Sequence, residues 1–110
     1  YNRSNLAEIL NKNLAHSKIY ADPYPEQKLF YRSDNATLAR LGVPAHSFSS
    51  SQIDKDQHYH KTSDDISSLN LQSMTQVVQT IAQASESLVN GVDTPTRLDT
   101  QKIKKQGKIF

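Results

Sequence analysis

The sequence predicts an α/β fold, namely the C-terminal part of a helix-flanked, mostly parallel sheet that is incomplete as an isolated chain. Three observations support this prediction. Helical and strand-like segments alternate, the strand-like segments are few and short, and a long amphipathic helix follows them. Because parallel strands need crossover connections and strands on either side, two or three short strands leave such a sheet unfinished.

The first elements are a helix and a short strand. In residues 5–16 the apolar side chains recur at steps of three and four, and Asn5 with Glu8 three positions later matches a capping box, so we expect an amphipathic helix there. Residues 18–21 are typical of a brief strand. It ends at an Asp-Pro-Tyr-Pro run, because two prolines so close together exclude a regular helix or a central strand.

The next two predicted elements are again a helix followed by a strand. Residues 36–41 have the pattern of a short helix that Ser33 or Asp34 can cap and that ends at Gly42. Residues 43–49 mix β-branched, aromatic and small side chains between that glycine and a serine-rich run. We therefore expect a buried strand there, with a proline near its beginning.

A polar loop and the clearest helix of the sequence come next. Residues 50–65 contain almost nothing apolar and are predicted to be a surface loop. From Asn70 to Gly91 an apolar stripe repeats at steps of three or four, which predicts a helix whose residues 71–88 pack in the core.

The chain is expected to divide into two parts. Residues 1–91 are predicted to form the C-terminal segment of a domain, and residues 92–110 a linker followed by a polar, lysine-rich tail that is frayed or docks elsewhere. The chain starts with Tyr1 rather than methionine and lacks the pattern of a signal peptide, which suggests that it was cut from something longer.

Composition excludes several classes of partner. Thirteen basic against eleven acidic residues leave a net charge of +2, too small for the strong field of a dedicated nucleic-acid binder. No apolar stretch approaches the length of a membrane span. With no cysteine, any metal must be held by His, Asp or Glu. We expect the tail to be solvated rather than bound to nucleic acid; its lysines are Lys102, Lys104, Lys105 and Lys108.

The candidate metal site lies in the polar loop. His58 and His60 are two residues apart, Asp64 follows, and a neutral imidazole oriented by a carboxylate is a common zinc ligand. On an extended segment the two imidazoles would share one face and could chelate an ion together. The alternative is that both histidines are exposed and solvated. His46, within the predicted strand, is expected to be hydrogen-bonded or partly buried rather than a ligand.

Two motifs resemble those of the M28 family of zinc peptidases. Residues 30–45, FYRSDNATLARLGVPA, are similar to the family's RSDH segment and the G-[IV]-P-A that follows it. Residues 59–65, YHKTSDD, are similar to its YHTxxD motif, and a long helix follows in the expected place. The resemblance covers about residues 4–90, although Asn35 stands where the family usually has histidine and Lys61 where threonine often occurs.

The resemblance implies a zinc aminopeptidase-like fold, with a central mixed sheet flanked by helices and two zinc ions. By its position His60 matches the family's last metal ligand, and Asp64 matches an acidic residue that orders the loop or supports the ligand. The other ligands and the general-base glutamate lie upstream in family members. Zinc is therefore expected in the full-length parent, and weakly or not at all in this chain.

Three residues of the first motif are candidates for the substrate-pocket wall. The resemblance gives Arg32, Ser33 and Asp34 this role, with Asn35 putting in question whether the wall works as in typical members. The same residue types have ordinary alternatives. Ser33 and Asp34 favour helix capping, and an arginine such as Arg32 is more often a surface cation than a carboxylate clamp.

The function predicted from this resemblance is that of a fragment of a zinc metallopeptidase, an aminopeptidase that hydrolyses N-terminal peptide bonds and is inactive alone. Its partner would be a peptide substrate, its location extracytoplasmic, and the unfinished sheet would offer an edge for self-association. Two alternatives remain. One is a non-catalytic α/β interaction or assembly module, and the other is a glutaminyl-cyclase-like member of the same fold family.

Overall fold

The computed structural model describes residues 1–105, and its regular structure there is helical. The α-helices are α1 (Leu6–Lys12), α2 (Asn35–Arg40) and α3 (Leu71–Val89). Single 3₁₀ turns lie at Pro25–Gln27, Leu29–Tyr31, Ile66–Ser68 and Thr100–Lys102. Irregular segments connect these elements, and the longest of them separates α2 from the turn before α3.

The predicted α/β fold with its parallel sheet is wrong for residues 1–105, because none of them forms a strand. Residues 18–21 and 43–49 are irregular instead. A strand exists only when its backbone groups pair with another strand. In residues 43–49 the backbone amides bond only locally among the described residues, Val43 to the carbonyl of Leu38 (3.1 Å) and Ala45 to that of Val43 (2.7 Å). Residues 1–105 therefore offer no sheet edge, and self-association itself stays a prediction.

Helix α1 is shorter than predicted, and its capping box does not form. The Asn5 side chain makes no cap hydrogen bond; its Oδ1 instead accepts from the backbone amide of Thr96 at 2.8 Å. At the other end Asn13 turns its side chain to α3, where Nδ2 donates to the carbonyl of Ala84 (2.8 Å) and to Ser87 Oγ (2.7 Å). The helix therefore begins directly after Asn5, as expected, and ends before Asn13, whose side chain contacts α3.

Helix α2 confirms the helix predicted for residues 36–41, although the predicted caps are not used. No side-chain cap hydrogen bond is made by Asp34, and the hydroxyl of Ser33 donates to the Asn35 side chain instead. Gly42 ends the helix with φ of 82°, a left-handed conformation that suits glycine. A Cβ at this position would lie 3.4 Å from the carbonyl of Leu98, an ordinary van der Waals contact, so the positive φ rather than crowding is what favours glycine.

Helix α3 confirms the predicted helix and its caps. Asn70 Oδ1 accepts from the amide of Ser73 at 2.9 Å, and Gly91 follows the helix with φ of 71°. The prediction that its whole apolar stripe is buried is wrong. Ala84 is buried, but Leu71, Met74 and Val78 are 60%, 46% and 59% exposed. Helix α1 has only seven residues and contacts the C-terminal half of α3, so the N-terminal half is left uncovered.

Residues 92–103, here called the C-terminal strap, cross the ends of α1 and α2. Lys12 forms an ion pair with Asp93 at 2.9 Å, and the Asn5 amide donates to Thr96 Oγ1 at 3.2 Å. The Leu98 amide then donates to the carbonyl of Gly42 at 3.0 Å. The division of the chain at residue 91 remains a prediction, but the strap is bound to the helices before it.

The core lies where the strap meets α2. Leu98 and Ile103 are 5% and 4% exposed and pack with the fully buried Ala39, while Phe30 and Tyr31 cover them partly. Lys102, Lys104 and Lys105 of the predicted tail are exposed around this core, and Lys108 lies outside the described residues.

None of the helices among residues 1–105 is both long enough and apolar enough to cross a lipid bilayer.

We predict that Leu98→Ala lowers the free energy of unfolding by about 2–4 kcal/mol, because it removes a buried side chain and leaves a cavity beside Ala39. Urea unfolding followed by far-UV circular dichroism measures this loss. The matched control is Leu71→Ala on the exposed face of α3, for which we expect a change within about 0.5 kcal/mol. Equal effects of the two substitutions would contradict the proposed role of the strap.

Candidate functional site

An open groove of about 1580 Å³ runs between the N-terminal residues, α1, the irregular segments and α3. Two of the predicted pocket residues, Arg32 and Ser33, line it. Its apolar lining includes aliphatic residues and six aromatic ones, which are Tyr1, Tyr20, Tyr24, Phe30, Phe48 and Tyr59. A concave site of aromatic walls and a few polar groups is the usual form of a ligand site, so the groove is the candidate site of the described residues.

Asn35 organises one wall of this groove from behind. It is 8% exposed, and its Oδ1 accepts from the hydroxyls of Ser33 (2.6 Å) and Ser47 (2.9 Å). Its Nδ2 donates to the carbonyl of Phe30 at 3.0 Å. The residue that stands in place of the expected histidine therefore ties three segments together: the 3₁₀ turn of Phe30, the start of α2, and the segment carrying Ser47.

The predicted pocket residues differ in their surroundings. Ser33 belongs to the Asn35 network and lies on the groove wall. Arg32 is exposed, and its Nη1 donates to Gln27 Oε1 at 3.3 Å. Asp34 is exposed at the start of α2. Their role in a substrate pocket stays a prediction, because the structure contains no substrate.

The histidine loop is a sequence of tight turns. Asp56 Oδ1 accepts hydrogen bonds from the backbone amides of His58 (2.8 Å) and Tyr59 (3.2 Å). The hydrogen bond from the His58 amide is the main cause that lowers the pKa of the Asp56 carboxyl. The Lys61 amide then donates to the carbonyl of His58 at 2.9 Å, and His60 between them adopts φ of 60°. The expected extended segment, with both imidazoles on one face, is therefore wrong.

Ring and hydroxyl contacts orient the two imidazoles separately. The His60 ring centroid lies 3.9 Å from that of Tyr59. Nδ1 of His58 is 3.1 Å from Ser63 Oγ. Both histidines are exposed, which agrees with the solvated alternative. Asp64 is exposed too, and its amide donates to the carbonyl of Lys61 at 3.1 Å, so its backbone closes the turn that directly follows the one containing His60.

A zinc site needs about four ligands in tetrahedral geometry. Within residues 1–105 no three His, Asp or Glu side chains come close enough to hold a metal ion together. The described residues alone therefore do not fit a zinc site. His60 offers one accessible imidazole on a tight turn, and nothing in the described part of the chain completes its coordination.

A second acidic residue joins the loop to the rest of the molecule. The Tyr24 hydroxyl donates to Asp54 Oδ1 at 2.6 Å. This hydrogen bond raises the pKa of the Tyr24 phenol and lowers the pKa of the Asp54 carboxyl.

Asp65 caps the 3₁₀ turn before α3. Its Oδ1 accepts a hydrogen bond from the amide of Ser67 at 2.8 Å, and the pKa of the Asp65 carboxyl is lowered mainly by the hydrogen bond from the Ser67 hydroxyl.

His46 is a polar residue of the groove whose surroundings differ from those expected. It is half-buried, as predicted, but its Nε2 atom is shielded from solvent and has no hydrogen-bond partner among the described residues. This orphaned atom could not be predicted from residue types, because the burial of Nε2 depends on tertiary packing.

Comparison with known proteins identifies one family. The model of the family described as Peptidase family M28 matches residues 2–85, which is more than half of the chain. No curated protein and no solved structure matches the chain significantly.

We predict that Asn35→Ala lowers the free energy of unfolding by about 2–3 kcal/mol, since it leaves the Phe30 carbonyl and two hydroxyls without their buried partner. Denaturant unfolding measures the loss, and the exposed Asn2→Ala is the control. In the Ser47→Ala background, Asn35→Ala is expected to lower the free energy of unfolding by a smaller amount, because the Asn35 and Ser47 side chains are hydrogen-bonded to each other. Additive losses would show that Asn35 and Ser47 act independently.

Proposed function

Because the chain belongs to peptidase family M28, we propose that it is the C-terminal part of a zinc-dependent metallopeptidase. The family is one of peptidases, so the chain is related to hydrolases. The finer proposal is that the parent protein is an aminopeptidase acting on N-terminal peptide bonds of an extracytoplasmic peptide substrate, and that this chain is inactive alone. The observation that carries the proposal is the family match over residues 2–85.

In this proposal His60 contributes one metal ligand, and the remaining ligands come from residues outside those described. Its surroundings support that role. The Asp56 carboxylate and the Tyr59 ring hold the turn around it, so its imidazole is presented to solvent at a defined backbone position. A ligand prepared in this way loses less conformational freedom on binding. Asp64 has the supporting role of ordering the loop, through the turn that directly follows His60.

The groove is the proposed place of the substrate. Its aromatic side chains offer apolar surface to peptide side chains, and Arg32 offers a cation at the rim. Ser33 fixes the wall through Asn35, and Asp34 is the third residue assigned to it. Asn35 itself is buried and hydrogen-bonded through both its amide oxygen and its amide nitrogen, so in this chain position 35 shapes the wall from behind.

We predict that His60→Ala in the intact parent protein removes stoichiometric zinc and lowers kcat/KM for an aminoacyl substrate by at least about 100-fold, since even groups that only support a ligand cost 10–100-fold. His58→Ala is the matched control, as it is an exposed histidine of the same loop whose contact is to Ser63. We expect it to retain zinc and most of the activity. Zinc is measured by atomic emission on gel-filtered protein.

The same experiment separates the alternatives. If both variants keep the zinc content of the parent, the assignment of His60 is wrong. If the parent itself contains no zinc and hydrolyses no peptide, the chain belongs to a non-catalytic module. If mass spectrometry shows an N-terminal glutamine losing ammonia without release of an amino acid, the parent is a cyclase rather than a hydrolase.

A further inference from the structure

His46 lies on the groove wall in contact with an aromatic ring. The centroids of its imidazole and of the Phe30 ring are 5.7 Å apart, with the planes tilted by 58°. Its Nε2 atom is shielded from water and unpaired among the described residues. Buried polar atoms without partners are rare in folded proteins, and each one is costly. A neutral imidazole tolerates this environment far better than a charged one, since the charged form has two N–H groups that need acceptors.

The positively charged side chain of Arg3 also packs against the Phe30 ring. The guanidinium carbon of Arg3 lies 4.3 Å from the Phe30 centroid and 5.5 Å from the Tyr31 centroid, which are cation–π distances. His46 and Arg3 therefore pack against the same phenylalanine.

The charges that act on His46 have one sign. They are the Arg3 guanidinium and the Tyr1 amino group, both on the N-terminal segment. The 3₁₀ turn contributes the uncharged Phe30 ring, and the neighbouring Ser47 on the same segment is uncharged. No carboxylate among the described residues contributes to the electrostatic balance at His46.

We propose that His46 is an acid-sensitive latch, which as a neutral imidazole holds residues 43–49 against Phe30 and which, once protonated, releases that segment and loosens the groove wall. The release has two causes. The charged ring has a buried N–H without an acceptor, and it is repelled by Arg3, which the Phe30 ring keeps nearby. Ser47 is the next residue and is tied to Asn35, so a displacement of His46 is transmitted to the Asn35 network.

The direction of the pH dependence follows from the same contacts. Burial is the main cause that lowers the pKa of His46 from its usual value of 6.5, followed by the positive charges of Tyr1 and Arg3. The unfolded chain therefore binds a proton more readily than the folded chain. The contribution of His46 to stability is complete above pH 6.5 and is lost as the pH falls from 6.5 toward the folded-state value. In that window the ratio of folded to unfolded chain falls by up to about tenfold per pH unit.

The first test is an NMR titration of the unaltered chain, following the imidazole Hε1 signals of its four histidines from pH 8 to about 4.5. We expect His46 to titrate below its usual value of 6.5. Its titration should coincide with shifts of the Phe30 ring protons and of the Ser47 amide. A His46 titration at or above pH 6.5, or one without a response of Phe30 and Ser47, overturns the proposal.

The second test compares variants by denaturant unfolding at pH 7.5 and about pH 5. His46→Phe keeps a ring against Phe30 and should lose the acid-dependent part of the instability. His16→Asn, at an exposed histidine, is the control and should leave the pH dependence unchanged. Arg3→Gln should weaken the pH dependence of the stability. Equal pH dependence of His46→Phe and the unaltered chain contradicts the latch, and should His46→Phe fail to fold, the titration of the unaltered chain alone decides.

Discussion

The packing of Leu98 and Ile103 against Ala39 joins the C-terminal strap to α2. Without it, α2 would have no apolar partner from the C-terminal residues, and the strap would be held by polar contacts alone, among them those to Lys12, Asn5 and Gly42. The core is small, because no large side chain among the described residues is fully buried. In such a structure a few hydrogen bonds at the edge of the core weigh heavily, since marginal stability makes each kilocalorie significant. The Asn35 network is the clearest example.

The parts of the fold predicted correctly from the sequence are those that depend on local signals. Asn70 and Gly91 set the limits of α3, and Gly42 ends α2, because a cap or a left-handed residue acts within one turn of its own helix. The expected sheet failed for the opposite reason. A strand requires a partner at long range, and residues 43–49 have the composition of a strand without that partner. Asn5 shows the same effect at a cap, because Thr96 is its partner, 91 positions away.

The candidate site, like the fold, could be predicted from the sequence only in part. The two motifs identified the family correctly, and they did so through the order of residues rather than through geometry. The geometry of the loop could not be deduced, since the left-handed His60 lies in a turn closed by the hydrogen bond from the Lys61 amide to the His58 carbonyl, and the composition of the loop does not specify that turn. Nor could the burial of Asn35 be deduced, because Ser47 and Phe30 approach it only in the folded chain. Residue types thus indicate which chemistry is available, whereas tertiary contacts decide where it is placed.

The exposed N-terminal half of α3 has a practical consequence. Met74 is the only methionine of the chain and sits on that face, 46% exposed. Its methyl group is therefore a single-site spectroscopic reporter that requires no mutagenesis, and any molecule that covers this part of the helix would change its signal. For the same reason its thioether is open to oxidants, and conversion to the sulfoxide would place a polar group on the surface and leave the core beside Ala39 untouched.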